Sequence, residues 1–69
     1  MNITELRYLV AIKKWGSVSA AAKQLYAAQP NVSKALKNLE GEYGLRIFER
    51  SSTGMIPTEQ GRRFIEQAE

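Results

Sequence analysis

The chain has 69 residues, ten Lys or Arg against seven Asp or Glu, a net charge of +3, 43% hydrophobic residues, and neither cysteine nor histidine. A chain this short supports one small domain, burying only about 60% of the surface its unfolded form exposes; disulfide staples and a cysteine- or histidine-based zinc site are excluded. Apolar runs such as Leu9-Val10-Ala11-Ile12 fall far below the roughly 18 residues of a membrane span, and Glu5, Arg7 and Lys13-Lys14 break any signal-peptide pattern, so a cytoplasmic protein without cofactor or membrane partner is expected.

Asn2 lies three residues ahead of Glu5, a capping-box spacing. Ile3, Leu6, Leu9, Val10 and Ile12 then predict a first helix to about Lys14, whose lysines suit the negative end of the helix dipole. Gly16 ends it, and Ser17 can cap a short second helix from Val18 to Leu25, with Val18, Ala21, Ala22 and Leu25 inward. Its alanines permit a close helix crossing, although alanine is also simply a good helix former. After a turn at Tyr26-Ala27-Ala28, Gln29-Pro30 opens a third helix, where the missing proline N–H has no intrahelical partner to lose. Val32, Leu36, Leu39 and Tyr43 form its core stripe, while Pro30, Ser33, Lys34 and Lys37 fall on the opposite side. Gly44 is expected just beyond its end, in the left-handed conformation.

Leu45–Arg50 predicts a strand, Ser51–Gly54 a turn, and Met55–Pro57 a return strand with Pro57 confined to its end or edge. Thr58 caps a final helix from Glu59, with Phe64, Ile65 and Ala68 as its apolar stripe. That helix is expected to run on past Glu69, the chain being the front of a longer protein. The fold expected is mainly α: a winged helix-turn-helix with a three-helix core, a two-stranded wing and the start of a linker helix. Residues 1–58 form the domain and residues 59–69 begin a truncated dimerisation helix. Trp15 and Phe48 are assigned to the core.

Between Leu6 and Leu39 there are six basic residues and no acidic one, an electrostatic footprint for a polyanion. A short helix, a tight turn and a second helix with a basic outer face have double-stranded DNA as their natural target. In a major groove, Gln29 can pair bidentately with adenine, Ser33 can donate or accept, and Lys34 can reach guanine. Pro30 either only fixes the helix start or also touches a thymine methyl; Lys37 suits a phosphate, or else a base. Ser17 and Ser19, with the N–H groups opening the second helix, can bind a phosphate. Arg50, Ser51, Ser52 and Thr53 on the wing can follow the backbone or enter the minor groove, unless Arg50 pairs with Glu49 or Glu42. Phe64, Ile65 and Ala68 either form part of a dimer seam or pack back on the first helix.

Other functions find less support. No histidine or cysteine can activate a serine, Glu40 and Glu42 do not share a helical face, and no glycine-rich phosphate loop is present. The aromatic residues do not follow an RNA-binding pattern. A winged-helix module that binds protein instead of nucleic acid is the alternative from another class.

The residues Leu6-Arg7-Tyr8, Gly16-Ser17, Ala21-Ala22 with Leu25, Gln29-Pro30 with Val32-Ser33, Leu39-Glu40, Gly44-Leu45 with Phe48-Glu49-Arg50, and Thr58-Glu59 with Gly61 make the chain closely similar to the N-terminal DNA-binding domain of LysR-type transcriptional regulators. The winged domain of molybdate-responsive regulators shares the general pattern. The LysR resemblance implies base contacts by Gln29, Pro30, Ser33 and Lys34 and a backbone role for Arg50. It also implies a homodimer or tetramer assembled through the linker helix, and a small-molecule effector held by a C-terminal domain absent from this chain. Ala28 departs from the family's usual serine or threonine and leaves the third helix without its ordinary side-chain cap. Tyr26 and Ala27 depart from the common turn, and Tyr43 replaces a usual leucine with a residue whose hydroxyl must reach water or a partner.

Overall fold

In the computed structural model, which describes all 69 residues, six elements follow in order: α1 (Ile3–Trp15), α2 (Val18–Gln24), α3 (Gln29–Tyr43), β1 (Phe48–Ser51), β2 (Gly54–Pro57) and α4 (Glu59–Ala68). Local signals start most of the helices. The Asn2 side chain accepts the Glu5 N–H at 2.8 Å while the Asn2 N–H donates to the Glu5 carboxylate at 3.0 Å, completing the capping box. Ser17 Oγ accepts the Ala20 N–H at 2.9 Å, and Thr58 Oγ1 accepts the Gly61 N–H at 2.9 Å. Only α3 starts without such a bond, Ala28 having no side chain to make it.

Gly16 and Gly44 follow α1 and α3 in the left-handed conformation. The second helix stops one residue short of the expected Leu25, which caps it instead. There the Ala27 N–H donates to the Ala22 carbonyl at 2.9 Å and the Tyr26 N–H to the Lys23 carbonyl at 3.3 Å, a closing pattern that places Tyr26 at φ 54°, where glycine usually stands.

Leu9 and Ile12 of α1, Ala21 and Ala22 of α2, and Val32, Leu36 and Leu39 of α3 form the core, closed by Ile47, Phe48 and Ile65. Phe48 lies inside, as expected. Trp15 does not: it is 46% exposed. The inward line of α1 runs through Leu9 and Ile12, and Gly16 turns the chain away directly after Trp15. Its ring lies instead on the outer groove with Val10 and Lys14, the Lys14 ammonium 5.3 Å from the ring centroid. Tyr43 also leaves the core stripe partly uncovered; its ring meets Phe64 at 4.8 Å, and its hydroxyl accepts from the N-terminal amine at 3.3 Å.

The wing is an antiparallel ribbon with register running from Phe48 opposite Pro57 to Ser51 opposite Gly54. Leu45–Ile47, expected in the first strand, stay outside it. The Ile47 N–H is drawn off to Glu40 Oε2 at 2.8 Å, so beyond Phe48 and Pro57 the register continues only through the Thr58 N–H, which donates to the Ile47 carbonyl at 3.0 Å, and the reciprocal bond of a further rung is not made. The return strand begins one residue early, at Gly54, and Pro57 sits at the strand end as its missing N–H requires. Next, α4 lies directly on the Ile47 backbone. A Cβ on Gly61 would stand 1.9 Å from the Ile47 carbonyl oxygen, so only glycine permits this approach. Four residues on, Ile65 is fully buried.

Candidate nucleic-acid interface

Three elements bring most of the expected site residues to one face. A surface cleft of about 300 Å³ is walled by Ser17 and Ser19 at the start of α2, Gln29 and Ser33 in α3, and Arg50 and Ser51 in the wing. One long-range bond helps to fix its geometry. The Met55 N–H donates to the Gly16 carbonyl at 2.8 Å, which ties β2 to the turn preceding α2 and holds the wing beside the helix-turn-helix.

The opening of α3 is presented outward. Gln29, Pro30, Lys34 and Lys37 are exposed and Ser33 is half-buried, while Val32, Leu36 and Leu39 face the core. This division follows from helical periodicity, which turns every third or fourth residue inward. Ser52 and Thr53, at the wing tip, are exposed and lie outside the cleft's walls, as do Pro30 and Lys34.

Several hydroxyls already have structural duties. Ser17 Oγ accepts the Ala20 N–H, leaving its proton to donate elsewhere. Ser51 Oγ donates to the Gly54 carbonyl at 2.8 Å and accepts the Thr53 N–H at 3.2 Å, shaping the two-residue loop of the wing. Ser51 and Thr53 hydroxyls are also 3.1 Å apart.

The cations of this face are uncommitted. The two ion pairs of the chain, Arg62–Glu66 at 3.2 Å and Arg63–Glu59 at 3.3 Å, both lie along α4. Arg50 therefore pairs with neither Glu49 nor Glu42, the alternative its sequence neighbours offered. Unpaired Lys34, Lys37 and Arg50 beside a helix N-terminus make a surface suited to phosphate oxygens and base edges.

A second cleft, between α3 and β1, is lined by Ser33, Lys37, Glu40, Arg46 and Arg50 among others. Arg46 and Glu40 had no place in the expected site. Arg46 was hidden by its assignment to a strand, and the only sequence signal for it was its basic charge four residues before Arg50. No periodicity points from Glu40 to Ile47, seven residues on.

Of the residues offered for a dimer seam, Ile65 is unavailable because it is fully buried within this chain's own core, where α4 packs on α1. That is the second of the two places open to it. Phe64 and Ala68 are half-buried, Phe64 against Tyr43. No helix is long and apolar enough to cross a membrane.

A family model described as bacterial regulatory helix-turn-helix protein, lysR family, matches residues 3–62. The chain is 44% identical over 69 residues to the uncharacterized HTH-type transcriptional regulator YcgK of Bacillus subtilis (strain 168), covering 100% of this chain and 21% of that protein. It is 41% identical over 68 residues to the HTH-type transcriptional regulator TfdS of Cupriavidus pinatubonensis (strain JMP 134 / LMG 1197), covering 99% and 23%. The chain thus spans less than a quarter of either relative. Among solved structures, the BenM DNA-binding domain in complex with benA site 1 DNA superposes with a TM-score of 0.90 at 38% identity, covering 99% of this chain and 79% of that one. The CbnR DNA-binding domain in complex with DNA gives 0.89 at 35%, covering 99% and 78%. Matching helices, wing and sequence along nearly its whole length, the chain belongs to the lysR family of bacterial regulatory helix-turn-helix proteins.

Proposed function

We propose that this chain is the sequence-specific, double-stranded-DNA-binding module of a LysR-type transcriptional regulator. The observation that carries the reading is the cleft joining Ser17 and Ser19, Gln29 and Ser33, and Arg50 and Ser51 on one face free of ion pairs. In this reading α3 enters the major groove, with Gln29, Pro30, Ser33 and Lys34 at base edges. Ser17, Ser19, Lys37 and the wing residues Arg50, Ser51, Ser52 and Thr53 bind the sugar–phosphate backbone. Residues 1–58 form the reading module; from residue 59 onward α4 starts the linker that joins two or four copies, with Phe64 and Ala68 nearest the seam. A small-molecule effector would act on a C-terminal portion of the parent protein, in the cytoplasm where the DNA lies.

The test is selection of bound duplexes from a random pool, followed by titration of Lys34→Ala and Lys37→Ala. Lys34→Ala loses discrimination between selected and random duplexes. Lys37→Ala loses affinity for both alike, with a salt slope smaller by about one. If the chain retains no duplex at low salt, or prefers single-stranded RNA, the reading fails; retention of a protein partner with no duplex bound supports the interaction module.

A further inference from the structure

Resting on the DNA-binding reading, we propose that Glu40 is the positioning residue through which the recognition helix sets the wing. Glu40 lines the cleft between α3 and β1 together with Lys37, Arg46 and Arg50. A carboxylate there opposes the attraction of a basic face for a polyanion. No lysine or arginine forms an ion pair with it. Its Oε2 instead accepts the N–H of Ile47 at 2.8 Å and that of Phe48 at 3.4 Å.

These two donors are the residue entering β1 and the first residue of β1. Bonds from backbone N–H groups to an ionised carboxylate are stronger than neutral ones, and here they span from the last turns of α3 to the root of the wing. The Ile47 carbonyl is held from the other side by the Thr58 N–H at 3.0 Å. The root is thereby clamped between α3 and α4. Two residues along the strand from Phe48, Arg50 shares its face of the ribbon, so the placement of Phe48 sets where Arg50 projects. Glu40 does not touch DNA; it acts through Arg50.

This role inverts the sign that electrostatics alone gives. Removing a negative charge from the basic face should tighten DNA binding, whereas removing the tether should loosen it. Glu40→Gln discards the charge and keeps an acceptor oxygen at the same reach. Glu40→Asp keeps the charge but is one methylene too short. Glu40→Ala loses both.

The experiment titrates the 69-residue chain and its Glu40→Gln, Glu40→Asp, Glu40→Ala, Arg50→Ala and Glu40→Asp/Arg50→Ala variants against a short random-sequence duplex over a range of salt, with a thermal melt of each. Glu40→Asp and Glu40→Ala are expected to bind more weakly than wild type, with a salt slope reduced by up to about one, the loss of one phosphate contact. Glu40→Gln is expected to bind at least as tightly as wild type. In the Arg50→Ala background, Glu40→Asp is expected to add nothing, the mark of two residues acting as one unit. Should Glu40→Ala fail to fold, Glu40→Asp carries the same comparison with the charge retained. Unchanged binding by Glu40→Asp, or an equal loss with and without Arg50, overturns the proposal. If the wild-type chain retains no duplex, the DNA-binding reading itself fails and the proposal falls with it.

Discussion

The Met55 N–H donates to the Gly16 carbonyl at 2.8 Å, and this bond joins the wing to the turn that opens α2. Two regions nearly 40 residues apart in sequence thereby present one surface. The contact is tight because Gly54, immediately before Met55, passes over the same carbonyl.

A Cβ on Gly54 would lie 2.6 Å from the Gly16 oxygen, at a φ of 125° that side chains rarely adopt. Gly54→Ala is expected to destabilise the chain by about 1–3 kcal/mol and to swing the wing away from α2. Hydrogen exchange at the Met55 amide checks this directly. Its protection should fall to that of an open wing, with weaker DNA binding in parallel.

Gly61→Ala is expected to be far more damaging. Its Cβ would meet the Ile47 carbonyl oxygen at 1.9 Å, with no flexible side chain there to give way. The cost of about 3 kcal/mol or more approaches the lower end of the stability of a domain this small, at roughly 0.05–0.15 kcal/mol per residue. Far-UV circular dichroism should show a largely unfolded chain. Gly41→Ala, inside α3 with nothing within 4 Å of the added carbon, should instead raise stability by about 0.5–1 kcal/mol.

Tyr26 holds a left-handed backbone at φ 54° while its side chain is 98% exposed. The conformation costs roughly 1 kcal/mol for a residue with a Cβ, and almost no packing repays it. Tyr26→Gly is expected to raise the melting temperature by about 4–8 °C, the shift that corresponds to 1 kcal/mol in a domain of this size. A thermal melt with a lowered midpoint would show that the phenol ring stabilises the chain.

Ala28 stands at the N-cap of α3 in an extended conformation suited to capping, yet supplies no acceptor. Ala28→Ser is expected to add about 1 kcal/mol through a bond to an N–H of the first turn. An unchanged melting temperature would place the helix start elsewhere.

The helices are legible in the order of residues alone, because their signals are local. Asn2 and Glu5 cap α1 across one turn, Ser17 and Thr58 begin α2 and α4, Gly16 and Gly44 end α1 and α3, and the periodicity of Val32, Leu36 and Leu39 separates the buried side of α3 from the side carrying Ser33 and Lys34. The family was legible in the spacing of those same residues. That Leu45–Ile47 stay out of the wing is a tertiary effect, because the Ile47 N–H is taken by Glu40, seven residues back on another element. Tertiary structure also left Trp15 at the surface and drew Ile65 into the core. Hydrophobicity marks both as apolar without saying which neighbour covers them. The assembly of Ser17, Gln29 and Arg50 around one cleft likewise rests on the Met55–Gly16 bond and on the close approach that glycine allows, neither of which has a period or a motif to announce it.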